Sequence, residues 1–303
     1  MPRVPMSRPV KNILCVRTDR LGEFLLTLPA IKAIKDSYPQ ARVSLACLRQ
    51  NADLIKGVPF VDDYIEIEAG RGVSVKEALR IACWQPFDIV VVFNPLKSFH
   101  IASALARIPL RVGYNRKWGF FLNRKKEDAK YLNLYHEIEY NLQLVSSICG
   151  DAIVPDIPAP WENKEEADAV LVRHGIPRAK PLLFVHPFSS DPSKEIEFEF
   201  WQSLLSSLRQ KGWGLVLIGL EDEFRQSRFS EMVAPGCWSL CGKISLRELA
   251  AILRFGCGFY IGVDSGPFHI ASLLRKPLAV LFRKEESVKR WGPFGNTNAT
   301  VRL

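Results

Sequence analysis

Short apolar runs rich in β-branched residues alternate with amphipathic stretches along nearly the whole chain, and this alternation restricts the fold more than any other feature. In the first half the strand-like runs are NILCVRT, RVSLACL, DDYIEIE, DIVVVFN and LRVGY. Between them lie helical patterns such as LPAIKAIKDSY, whose Leu28, Ile31 and Ile34 recur at helical spacing, with Pro29 expected in the first turns or at a kink. From Gly150 to Pro181 the chain turns Pro-rich and charged, which marks a linker. A second alternation follows: PLLFVHP, FEFWQSLLSSLRQKG, GLVLIG, SLRELAAILRFG, GFYIGVD, PFHIASLLR, PLAVLF. The expected architecture is α/β, with two Rossmann-like parallel-sheet domains facing each other across a central cleft, residues 1–158 and 159–303.

With 303 residues, 48% of them hydrophobic, the chain has material for two cores. Its longest apolar runs fall far short of the roughly 20 residues of a membrane span. The N-terminus MPRVPMSRPVKNILCV has no signal-peptide pattern. Seven scattered cysteines, with only CWSLC (237 to 241) closely paired and no matching His or Cys pair, fit a reduced compartment and disfavour zinc. The protein is expected in the cytoplasm. The formal charge is +9, and much of the excess lies in Arg107, Arg111, Arg116, Lys117, Arg124, Lys125, Lys126 and Lys130. That surplus favours anionic partners, although any single lysine is equally explained as part of a solvated face.

Four stretches could carry chemistry. In YIGVDSGPFHIAS a strand ends at Asp264, and Ser265, Gly266 and Pro267 turn into a helix bearing His269. A helix start at a strand end suits a phosphate, because free backbone N–H groups and the helix dipole point at it. The plainer explanation is that Asp264 or Ser265 merely caps the helix. In LLFVHPFSSDPSKE, Ser189, Ser190 and Lys194 follow a strand and could neutralise a diphosphate; His186 is more ordinarily a satisfied strand-end histidine. In LIGLEDEFRQ, carboxylates follow a strand end, where most such clusters are solvated or support a helix start and one could accept from a ribose. Near the N-terminus, RTDRLGEFLLTLPAIKAIK places Glu23 just past a glycine at a helix start. The motifs GxGxxG, GxxxxGK[ST], HExxH and GxSxG are absent, and no acidic cluster has metal spacing.

Several of these stretches, taken in order, resemble the heptosyltransferase-like glycosyltransferases of family 9. RTDRLGEFLLTLPAIKAIK is similar to the family's R-x-D-x-x-G-D loop and TxPAIxxLK helix. HPFSSDPSKEIEFEFW is similar to its HP-G-S-S…K-x-W-P turn, and DSGPFHIA matches its D-S-G-P-x-H-x-A at every named position. YHEIEYNLQLVSSICG resembles the family helix that precedes the interdomain linker. The resemblance implies a GT-B fold and an inverting, metal-independent transfer of a sugar, usually a heptose, from a nucleotide diphosphate donor, here ADP-heptose. The acceptor is expected to be a lipopolysaccharide-core-type or other anionic, lipid-linked saccharide. No cofactor and no nucleic acid are implied, and peripheral contact with the inner membrane surface is expected. On this resemblance the donor meets Ser189, Ser190, Lys194, Glu223, Asp264, Ser265, Gly266, Pro267 and His269. Arg17, Asp19, Arg20 and Arg116 would meet the acceptor, and Glu23 takes the place of the family's catalytic aspartate.

Two departures stand out. Glu23 replaces Asp, and Arg283 in LFRKEES stands where the family has the glycine of an LFG turn. They keep a second reading open, a nucleotide-sugar or saccharide-binding module that has lost catalysis; a nucleotide-sugar epimerase on the same fold is a third, which the motifs match less well than a transferase.

Overall fold

The computed structural model describes residues 9–70, 72–150, 163–225, 227–283, 285–294 and 299–302. The chain divides into two compact units, residues 1–160 and 161–303; the expected boundary at 158/159 lies outside the described residues.

The first unit is built on six parallel strands: β1 Asn12–Arg17, β2 Arg42–Leu48, β3 Asp63–Ile67, β4 Ile89–Val92, β5 Leu110–Tyr114 and β6 Arg124–Lys126. They lie in the order β3-β2-β1-β4-β5-β6. In β1 the side chains of residues 13 to 16 are all fully buried, as expected when helices cover both faces of a parallel sheet. Each such aliphatic side chain contributes roughly 1.5–3 kcal/mol by leaving water. The register sets Cys15 between Leu45 and Val91, and the Asp88 carboxylate ties down the strand start by accepting from the N–H groups of Lys11 (2.8 Å) and Asn12 (3.0 Å).

The second unit repeats the plan with β7 Leu182–His186, β8 Gly214–Leu217, β9 Cys237–Ser239, β10 Phe259–Val263, β11 Leu278–Phe282 and β12 Ala299–Arg302. Their order is β12-β11-β10-β7-β8-β9, again all parallel. Both sheets therefore have the doubly wound strand order of dinucleotide-binding folds. β10 approaches β7 closely at Gly262, where a Cβ would lie 2.7 Å from the carbonyl oxygen of His186.

Three strands escaped the sequence reading. β6 is a run of basic residues, and it forms the sheet edge, where charged side chains discourage pairing with another chain. β9 and β12 are three and four residues long, too short to show a period. Pro29 lies in the first turn of the helix Leu28–Ser37, where its missing N–H costs nothing. A separate five-residue helix, Leu21–Leu25, precedes it and carries Glu23.

Candidate active site

In a doubly wound sheet, ligands bind beyond the carboxyl ends of the two central strands whose connections run to opposite sides. In the first unit those strands are β1 and β4, and in the second β7 and β10. The first loop, Thr18 to Arg20, follows β1; the HPFSS turn follows β7; Asp264, Ser265 and Gly266 follow β10. Three of the stretches singled out in the sequence therefore stand at switch points.

In the first unit the loop is anchored rather than open. Arg17 is only 2% exposed; it donates to the Phe93 carbonyl (3.3 Å) and to Glu137 Oε1 (3.4 Å) and lies 3.3 Å from Asp19. Glu137, at the start of the helix Glu137–Cys149, is fully buried and also receives Lys130 Nζ at 2.5 Å. Thr18 and Asn94 exchange hydrogen bonds across the ends of β1 and β4: the Thr18 N–H donates to Asn94 Oδ1 (3.3 Å), and Asn94 Nδ2 donates to Thr18 Oγ1 (3.1 Å). Asn51 Nδ2 donates to the Asp19 carbonyl. Arg17 thus holds the loop. Asp19 and Glu23 are half-buried, and Arg20 is exposed. Burial raises the Asp19 carboxyl above its usual range, against the lowering effect of Arg17 and Lys130. It raises Glu23 likewise, opposed by a backbone hydrogen bond and by Arg17, and assisted by Asp19 and Glu137. A half-buried carboxylate with a raised pKa is suited to proton transfer. Arg116 pairs with Asp128 at 3.0 Å.

In the second unit Lys194 Nζ reaches the nearly buried Asp264 at 2.6 Å, joining the turn after β7 to the end of β10. His269 Nε2 lies 3.8 Å from the other Asp264 oxygen. Ser265 occupies the N-cap of the helix Gly266–Leu273 but makes no capping bond. Its hydroxyl lies 3.1 Å from the Val263 carbonyl and 3.0 Å from His186 Nδ1. Burial lowers the His186 pKa to about 4, so the imidazole is neutral near pH 7. With the serine hydrogen on Val263, the imidazole proton belongs on Nδ1, donating to Ser265. The capping explanation of Ser265 therefore fails, and the first backbone N–H groups of Gly266 and Phe268 lack intrahelical acceptors. Pro267 adds no donor; it fixes the first turn.

Ser189, Ser190 and Glu223 line one cavity of about 740 Å³. Ser189 Oγ accepts from the Asp191 N–H (3.1 Å), shaping the turn before Lys194, and Glu223 Oε2 accepts from the Leu220 N–H at 2.9 Å. The helix-support explanation of Glu223 is thus realised, and the same carboxylate still faces the cavity. Sequence reasoning missed Glu137, Asn94 and Asn51, whose partners in the first loop are all distant along the chain.

Residues 76–303, well over half of the chain, match the sequence model of Glycosyltransferase family 9 (heptosyltransferase). Lipopolysaccharide heptosyltransferase 3 of Escherichia coli is 23% identical over 300 residues, covering 91% of this chain and 84% of its own length. Among solved structures, the E. coli ADP-heptose lps heptosyltransferase II superposes with a TM-score of 0.81 at 19% identity, covering 96% of this chain and 90% of that one. E. coli heptosyltransferase WaaC with ADP gives 0.74 at 20% identity, covering 96% and 93%. The fold is that of the GT-B heptosyltransferases, and this chain belongs to glycosyltransferase family 9.

Proposed function

We propose that the protein transfers a heptose from ADP-heptose to a lipopolysaccharide-core-type saccharide, with inversion at the anomeric carbon and without a metal. Residues 159–303 bind the donor and residues 1–158 the acceptor. The observation that carries this reading is the Lys194–Asp264 pair beside the uncapped helix start at Gly266, at the switch point of the second sheet. There a diphosphate meets an ammonium and the free N–H groups of a helix start, beside Ser265. Known relatives add support: the family is one of heptosyltransferases, and one structural neighbour holds ADP. Among the described residues no three His, Cys, Asp or Glu side chains gather into a metal-ligand set.

In the reaction the acceptor hydroxyl oxygen bonds to the anomeric carbon and its proton passes to Glu23. The bond from that carbon to the phosphate oxygen breaks, and the nucleoside diphosphate leaves with the electron pair. Lys194 and the N–H groups at Gly266 and Phe268 stabilise the charge that develops on the leaving oxygen. Asp264 and His269 orient Lys194.

The reading extends to peripheral contact with an anionic membrane surface on the cytoplasmic face. Among the described residues no helix is long and apolar enough to cross a membrane. Residues 107–135 hold eight Lys and Arg against Glu127 and Asp128, six of the nine net positive charges of the chain. The same segment exposes Trp118, Phe120, Tyr131, Leu132, Leu134 and Tyr135, with Phe120 66% and Tyr131 77% accessible. Lys97 Nζ stands 4.0 Å over the Trp118 ring, which stacks on Phe120. Exposed aromatics flanked by cations suit the headgroup region of an anionic bilayer.

The deciding experiment is Glu23→Gln, which keeps size and polarity and removes the base. Turnover of ADP-heptose should fall by about 10²–10⁴-fold, with ADP affinity by calorimetry unchanged. Turnover equal to wild type would sink the assignment of the base.

A further inference from the structure

The cavity of the second unit carries a cation where the family pattern has glycine. Arg283 follows β11 and ion-pairs with Glu197, in the segment between β7 and the helix Phe198–Gln210. β11 and β7 are the strands on either side of β10, at whose end Gly266 opens its helix. The ion pair thus joins segments from both flanks of the proposed phosphate position. Both residues line the same cavity as Ser189, Ser190 and Glu223.

The charges on that wall are not yet arranged for a diphosphate. Glu195, Glu197 and Glu223 stand against Arg228 and Arg283. Lys194, next to the cavity, is already matched by Asp264. Arg228 is held by Glu199 at 2.5 Å, by Glu231 at 4.0 Å and by the Phe198 ring at 4.3 Å. Arg283 is held by Glu197, a carboxylate that is 67% exposed. An exposed ion pair of this kind is weak and readily exchanged, whereas a guanidinium forking onto phosphate oxygens is among the stronger polar contacts.

We propose that Arg283 is a donor-binding residue particular to this chain: its guanidinium leaves Glu197 for the donor diphosphate, and Glu197 competes with that diphosphate for it. The proposal rests on the donor-site reading given above. It makes the site select for the diphosphate and not only for the nucleoside, and it gives a cation in place of the family's glycine a task in the same reaction.

Calorimetry on the full chain at low salt, with ADP, UDP and GDP and the matching nucleosides, tests it. Arg283→Gln should weaken the diphosphate that wild type binds by about 10- to 100-fold, the value of losing a charged hydrogen-bond pair. Glu197→Gln should tighten the same ligand by about 2- to 5-fold, since it frees the guanidinium from a surface pair. Nucleoside affinity should not move in either variant. Diphosphate binding that is unchanged or tighter in Arg283→Gln, with thermal unfolding like wild type, overturns the proposal and leaves the donor site standing. Equal weakening of nucleoside and diphosphate also overturns it. A wild type that binds none of the three diphosphates overturns the donor-site reading, and the proposal with it.

Discussion

Glu23 lies in the first turn of a five-residue helix, where an acidic side chain complements the dipole by roughly 0.3–1 kcal/mol. That local role is compatible with the proposed one and does not explain the raised pKa, whose first cause is burial. A base acts when ionised, so activity is lost as pH falls through its pKa. With the Glu23 pKa raised, the acid limb of kcat/KM should lie above the ordinary carboxylate range, measured as turnover against pH at substrate concentrations well below KM. A limb inside that range contradicts the assignment. Glu23→Asp tests reach: the side chain draws back by roughly an ångström, a displacement that can cost about a hundredfold where geometry is tight. Little change would mean that the site tolerates either length.

At the scale of elements, the helix Glu137–Cys149 braces the first loop. Its capping box, with His136 accepting from Ile138 N–H and Glu139 from His136 N–H, fixes where the helix begins. That start delivers Glu137 to Arg17 and Lys130 beneath the loop. Removing one partner of a buried pair leaves uncompensated charge, so Glu137→Ala should lower the stability of the first unit by about 3–5 kcal/mol in urea unfolding. A loss under 1 kcal/mol would show that solvent reaches these cations. Glu137 was unreadable in HEIEYN because its meaning lies in Arg17, 120 residues away. The strands RVSLACL and LRVGY, by contrast, were legible to the residue, since a buried parallel strand writes its burial into its own apolar run. The basic β6 was not, because an edge strand need not be apolar.

For the whole molecule, the charge is unevenly placed, and its densest stretch coincides with exposed rings. The full chain should cosediment with vesicles of phosphatidylglycerol and not with pure phosphatidylcholine, and salt should weaken the binding. The double variant Trp118→Ser with Phe120→Ser should lower vesicle partitioning by about tenfold or more, as two aromatic side chains lose their apolar contact. Its ADP affinity should stay unchanged. Equal binding to both lipids, or none to either, counts against the membrane reading; a concentration-dependent dimer lost in the variant would assign the patch to a second copy of the chain instead.

The alternation of strands and helices, the two α/β halves and the identity of the polar turns that follow β1, β7 and β10 are all legible in the residues alone. Periodicity, helix starts and turn chemistry are local, so they can be read within a dozen residues. That β1 lies against β4 and β7 against β10, which turns those loops into switch points, emerges only in the folded chain. The fold also decides that Arg17 is a brace, that Ser265 turns to His186 instead of capping its helix, and that Lys194 and Arg283 meet Asp264 and Glu197. These contacts join residues 70 to 120 positions apart. Their partners are chosen by strand order and burial, which no short stretch of sequence records.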